Sequence, residues 1–147
     1  MSSQQSLNYQ PLIFRVGQKA VVFNEDLKIL FLKRSATSSR PGGWDFPGGG
    51  LEAEEPVEGV KREAREEAAI EIENVKPLAV ITHDREQANE KTLIIGYIAN
   101  LKSGEVELSH EHDECRWLTI DEARAMDLPE GHRKFLEAAI AEIKNRF

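Results

Sequence analysis

Between Pro56 and Ala69 the chain carries three glutamates, Glu63, Glu66 and Glu67, that fall within roughly 100° of one another at helical pitch. Val57, Val60, Ala64 and Ala68 form an adjoining apolar stripe, so the acids flank the face that such a helix would bury. Pro56 suits a first turn, where its missing N–H costs little. Like charges at these spacings destabilise a helix by roughly 0.2–0.5 kcal/mol per pair in water, and partial burial adds a desolvation penalty. A divalent cation between the acids would turn that repulsion into attraction. On the helix alone, a solvated surface neutralised by Lys61, Arg62 and Arg65 is the competing reading.

The surroundings narrow the choice. Apolar runs at Ala20–Phe23 and Leu27–Leu32, separated by Asn24-Glu25-Asp26, predict a hairpin. Ser35 to Gly43 reads as a loop, Trp44-Asp45-Phe46 as a short strand, and Gly48-Gly49-Gly50 follows it. After the helix, strands are expected over Leu78–Thr82 and Thr92–Ala99, the second apolar on both faces as in a covered sheet. Trp117-Leu118 closes a further strand, and Thr119-Ile120-Asp121-Glu122 has the form of a capping box. Phe135, Leu136, Ala139, Ile140 and Ile143 share one stripe of a last helix that starts near Pro129. No repeat or linker interrupts this order, so one α+β domain over 11–147 is expected, preceded by a loose polar tail over 1–10.

Glu54 and Gly48 place the helix in a longer pattern. The segment runs Gly48, five residues, Glu54, seven residues, then Arg62-Glu63-Ala64-Arg65-Glu66-Glu67-Ala68-Ala69-Ile70. This resembles the Nudix box, and the likeness extends from the hairpin and Trp44-x-Phe46-Pro47-Gly48-Gly49 to a tryptophan-bearing strand beyond the box. The resemblance implies a Nudix-like α/β/α sandwich with a mixed β-sheet between helices. It also implies metal-dependent hydrolysis of a phosphoanhydride bond in a nucleoside diphosphate linked to another group, such as an NTP, a nucleotide sugar or a dinucleotide.

By the same resemblance, Glu66 and Glu67 are metal ligands, and Glu63 is a ligand or orients and deprotonates the attacking water. Arg62 would hold the glutamates by charge-assisted hydrogen bonds, and a carbonyl near Gly48 adds a ligand. Oxygen donors of this kind suit Mg²⁺, with Mn²⁺ as the alternative.

Ala69 stands where the family has glycine, so the helix is not expected to end easily in a left-handed residue. The stretch after the glycines is one residue short: helix spacing selects Glu54 and glycine spacing selects Glu55, and the helix spacing is preferred. Glu111, six residues before Trp117, resembles a late metal or base glutamate of some family members, with Glu114 as the alternative.

Arg34 and Arg40 flank the loop before the glycines and are candidates for substrate phosphates. Trp44 is a candidate for base stacking or, equally, a core residue at the sheet edge. His83, His110, His112 and His132 show no zinc-ligand spacing with Cys115 and receive no role, and Cys115 reads as a small core residue.

The glycine run lacks the Gly-Lys-Ser/Thr ending of a P-loop and the spacing of a dinucleotide fingerprint. A net charge of −7 argues against a nucleic-acid polymer as partner. A small-molecule nucleotide is the expected partner, without a membrane, and many relatives form homodimers. A single cysteine and a polar N-terminus point to a cytoplasmic protein. The alternative is a Nudix module that binds nucleotides without turnover, against which the full set of glutamates weighs. An isomerase on the same scaffold lacks its distinctive cysteine and acid placement here.

Overall fold

The computed structural model describes residues 11–38, 41–84 and 90–145. The expected tail over 1–10 and the candidate Arg40 lie outside these residues. Among the described residues, seven strands form one mixed sheet with the order β3-β2-β1-β6-β5, to which β4 adds on β1 and β7 on β2. The strands are β1 (Ile13–Phe23), β2 (Ile29–Arg34), β3 (Trp44–Asp45), β4 (Gly48–Gly50), β5 (Glu71–Asp84), β6 (Glu90–Ser103) and β7 (His112–Leu118). The helices are α1 (Pro56–Ala68), α2 (Ile120–Arg124) and α3 (Glu130–Lys144). Every pairing is antiparallel except that of β1 with β6, which runs parallel from Ile13↔Glu90 to Phe23↔Asn100. Among the described residues, no helix is long and apolar enough to cross a membrane.

The alternation along the strands divides the core into two layers. Val21, Phe23, Ile29, Phe31 and Ile98 face α3, which buries Phe135, Leu136, Ala139, Ile140 and Ile143 against them. Ala20, Val22, Leu30, Tyr97 and Ala99 face the other way and receive Val60, Ala64 and Ala68 of α1. The two-faced apolar character of β6 therefore has a direct cause: a helix covers each side of it. The small Ala64 lets α1 lie close to the sheet, fully buried there. Truncating Phe135 to alanine in such a layer typically costs about 3–5 kcal/mol.

Several local expectations are refined. Leu27 is not a strand residue: it sits in the turn at φ 58°. The Asn24 side chain fixes that turn by accepting bonds from the N–H groups of Asp26 and Lys28, both at 3.0 Å. Strands β5 and β6 run well past their apolar cores, because pairing with each other carries polar residues into the ladder. Asn74, at φ 54°, lies within the irregular stretch of β5. The capping box forms as read, with Glu122 N donating to Thr119 Oγ1 and Thr119 N donating to Glu122 Oε1.

Ala69 corrects the expectation about the end of α1. It adopts the left-handed conformation, φ 58° and ψ 31°, and its N–H caps the carbonyl of Arg65 at 3.0 Å. The helix ends there despite the missing glycine because that N–H satisfies a carbonyl that would otherwise be unpaired.

Candidate active site

Strand β4 explains how a glycine run and a helix come to share one site. Gly48, Gly49 and Gly50 pair with Lys19, Gln18 and Gly17 of β1. A Cβ on Gly48 would fall 1.9 Å from the Gln18 carbonyl oxygen, and one on Gly49 would fall 2.6 Å from the Glu63 carboxylate. At Gly48 the clash would be with backbone, so only glycine permits this close pairing of β4 on β1, whereas at Gly49 it would be with the tip of the Glu63 side chain. Glu63, 13% exposed at its side chain, is thereby packed over the strand.

Arg62 organises the acids around it. Its guanidinium donates to Glu54 Oε1 through both Nε and Nη2, at 3.2 and 2.9 Å, and to Glu63 Oε1 at 2.9 Å. It also donates to Glu66 Oε2 at 3.1 Å and to the Gly50 carbonyl at 3.2 Å. The fork shape of the group makes these contacts simultaneous. Glu54 is the acid that Arg62 holds, and this hydrogen bond keeps its carboxyl below the usual range. Glu55 is the N-cap residue of α1 and makes no capping bond.

A cavity of about 460 Å³ lies beside this cluster, lined by Gly48–Gly50, Glu63, Glu67, Glu111 and His112, with Lys19 and Arg34 among its walls. The start of β7 is held against α1 through the preceding loop: Glu107 N and Ser109 N donate to the carbonyls of Ala68 and Glu67, at 3.0 and 3.1 Å. The end of α1 therefore receives a loop where a helix normally has spare carbonyls. Ser35 N donates to the Glu111 carbonyl at 2.9 Å, fixing the other side. Glu114, the alternative to Glu111, pairs instead with Arg116 at 3.2 Å.

Glu67 is 4% exposed, and its Oε2 has no hydrogen-bond partner among the described residues. Burial pushes its carboxyl up to about 9; the charge of Lys19 opposes this, while Glu63, Asp45 and Glu111 add to it. Nδ1 of buried His112 is also without a partner and lies 3.8 Å from that oxygen. Burial holds the His112 ring below its ordinary value, so it is neutral near pH 7. Ligand atoms from Glu67, Glu111 and His112 all lie within 4.8 Å of one another. The buried, unpartnered donors of Glu67 and His112, with the exposed carboxylate of Glu111 beside them, fit a divalent cation, which would satisfy them and offset their charge.

The other sequence candidates separate. Glu66 is 58% exposed at its side chain and stands outside the cavity wall, joined to the cluster through Arg62. Arg34 lines the cavity and also donates to Asp45 at 3.0 Å. Trp44 is not brought to the acids: it lines a different hollow with Leu128 and Pro129, and the Arg116 guanidinium lies 4.8 Å from its ring centroid. Cys115 is half-buried against the layer under α1, and burial pushes its thiol up, which suits packing rather than nucleophilic use.

Two histidines given no role are part of this architecture. His112 has just been placed, and His132 binds buried Asp45 at 2.6 Å. Asp45 also accepts from Lys19 at 2.9 Å. Burial alone would raise the Asp45 carboxyl, but Lys19 and His132 outweigh it and hold it well below the usual range. The sequence gives one faint signal for His112, its place beside the acid six residues before Trp117.

The glycine strand, the glutamate helix and the sheet between two helices define a class of phosphoanhydride hydrolase. The NUDIX domain family model matches residues 13–139, and this chain belongs to the Nudix family. It is a Nudix hydrolase, of the class that cleaves the pyrophosphate bond of nucleoside diphosphate derivatives. It is 32% identical over 129 residues to a CTP pyrophosphohydrolase of Escherichia coli (strain K12), covering 83% of this chain and 89% of that protein. A MutT-like protein of Streptomyces ambofaciens is 35% identical over 125 residues, 83% of this chain and 74% of that one. The crystal structure of a MutT protein from Methanosarcina mazei Go1 superposes with a TM-score of 0.76 at 28% identity, covering 92% of this chain and 99% of that one.

Proposed function

We propose that this hydrolase acts on a nucleoside triphosphate, adding water to release a nucleoside monophosphate and pyrophosphate, with a divalent cation, Mg²⁺ or Mn²⁺, as its ion. The observation that carries this reading is the meeting of two cavities at Lys19 and Arg34. One holds the acid cluster. The other, of about 960 Å³, is walled by Ile81, Ile94 and Pro129 together with Thr82, His83 and His132. A polyphosphate chain suits the first, and an apolar base edged by polar groups suits the second. The similarity to a CTP pyrophosphohydrolase supports the same substrate class.

Glu63, Glu66, Glu67 and Glu111 would hold the cation, with Gly48 offering a backbone oxygen beside them. Bound there, it would offset phosphate charge and lower the pKa of water. Glu63 would accept the proton of the attacking water as the bond to phosphorus forms. Arg62 and Glu54 keep the carboxylates in position. Lys19 and Arg34 bring positive charge to the junction where the phosphates would pass. Placement and fixed charge would supply most of the rate enhancement.

The test is a substrate panel of triphosphates, nucleotide sugars, ADP-ribose, dinucleoside polyphosphates and coenzyme A with Mg²⁺. Products are quantified for the wild type and for Glu66→Gln. Triphosphates should react fastest and yield pyrophosphate, and Glu66→Gln should lose roughly 3 kcal/mol of transition-state stabilisation, about 10²-fold or more in rate. Faster cleavage of a sugar or dinucleotide substrate would move the substrate class. Tight nucleotide binding with no turnover would identify a binding module.

A further inference from the structure

His112 begins β7 opposite Arg34 of β2, and its backbone N–H is bound to the Ser109 carbonyl at 3.3 Å. Its side chain and that of Glu67 are each only 5% exposed. The separation of 3.8 Å between His112 Nδ1 and Glu67 Oε2 is too long for a hydrogen bond. Neither atom finds another partner among the described residues. A buried imidazole nitrogen and a buried carboxylate oxygen left facing each other in this way are costly unless something sits between them. Two atoms that each lie about 2.0–2.2 Å from one metal ion are naturally spaced some 3–4 Å apart. Glu111 brings a third ligand atom within 4.8 Å of both.

We propose that His112 is a nitrogen ligand of the active-site cation, so that the centre binds Mn²⁺ and kindred transition-metal ions in preference to Mg²⁺. This rests on the reading that Glu67 and Glu111 hold a cation for hydrolysis. The chemistry follows from the donor set. Mg²⁺ takes oxygen almost exclusively, whereas imidazole adds affinity for transition-metal ions and little for Mg²⁺. An all-carboxylate site discriminates weakly between the two ions. Replacing one oxygen by a neutral nitrogen both lowers the site's negative charge and introduces a donor that only the transition metal uses well.

The test reads the metal directly. Mn²⁺ is titrated into the whole protein and followed by electron paramagnetic resonance, with Mg²⁺ affinity obtained by competition. Pulsed measurements then look for nitrogen coupling to the bound ion. The expected result is a ¹⁴N coupling in the wild type that converts to ¹⁵N on labelling with [¹⁵N]histidine. It should be lost in His112→Gln and kept in His110→Gln, the latter altering another histidine that lines the cavity. Mn²⁺ affinity should fall about tenfold in His112→Gln while Mg²⁺ affinity changes by less than about twofold.

The labelled wild type answers the question even where a variant folds poorly. Bound Mn²⁺ without nitrogen coupling, or equal weakening of both ions in His112→Gln, would overturn the assignment and leave the ring positioning Glu67 only. In those two outcomes continued hydrolysis leaves the reading of the site as a metal-dependent hydrolase intact. Nitrogen coupling present with no hydrolysis of any substrate would break that reading and spare the ligand assignment. A wild type that binds no Mn²⁺ at all would sink both.

Discussion

His132 Nε2 donates a 2.6 Å hydrogen bond to Asp45 Oδ1, tying the first turn of α3 to the two-residue strand β3. The same carboxylate takes Lys19 and Arg34 on its other oxygen and the Phe46 N–H on Oδ1 at 2.8 Å. One buried anion on β3 thus fixes residues from β1, β2 and α3, and two of them line both cavities.

Asp45→Asn keeps the shape and removes the charge. It should destabilise the protein by about 3 kcal/mol, because breaking a buried pair leaves its cationic partners uncompensated. For a chain of this size that corresponds to a fall in Tm of about 6–12 °C by thermal denaturation. A Tm within about 2 °C of the wild type would show that the neutral amide serves equally well.

Arg62→Lys keeps the charge and discards the fork. A single ammonium cannot reach Glu54, Glu63, Glu66 and the Gly50 carbonyl together. The rate should fall by about 10–100-fold, and the Mg²⁺ concentration needed for half-maximal rate should rise. Since Arg62 acts by positioning, the metal titration is the decisive readout. A lowered rate at an unchanged metal requirement would remove this role.

Glu67 makes stability depend on pH in a stated direction. Its folded pKa, about 9, lies above the ordinary 4.5, so the native state holds a proton that the unfolded chain has released. Stability should therefore fall as pH rises through the window from about 4.5 to about 9. Glu67→Gln, studied in EDTA, should flatten that part of the Tm profile and be the more stable protein near pH 9. Parallel profiles for the two proteins would refute it.

Ala69→Gly should stabilise the protein. The left-handed conformation costs a residue with a Cβ about 1 kcal/mol, and glycine adopts it freely. A rise in Tm of about 2–4 °C is expected, with activity unchanged. A lower Tm would mean that the extra freedom of glycine in the unfolded chain outweighs the relief.

The helix-borne part of the site is legible in the sequence because its geometry is local. Arg62, Glu63, Glu66 and Glu67 sit on consecutive turns, so spacing alone brings them together. That Arg62 binds Glu54 depends on the reach of its side chain across the turn, which a linear count does not contain. His112 and His132 escape notice for a related reason: their partners, Glu67 and Asp45, are far off in the chain and meet them only through sheet topology. Trp44 is ambiguous because a two-residue edge strand gives no periodicity by which to assign its face. The ends of β5 and β6 are hidden likewise, since polar residues enter a ladder on the strength of their neighbours across it.

The parallel ladder between β1 and β6 sets an order of events during synthesis. Ile13 cannot meet Glu90, nor Phe23 meet Asn100, until the glutamate helix and all of β5 have left the ribosome. The first strand waits with one long side open, and its closure is a slow, non-local step. A chain halted just after the box would carry every residue of that motif and still lack the strand against which β1 is completed, so catalytic competence should arrive late in translation and all at once.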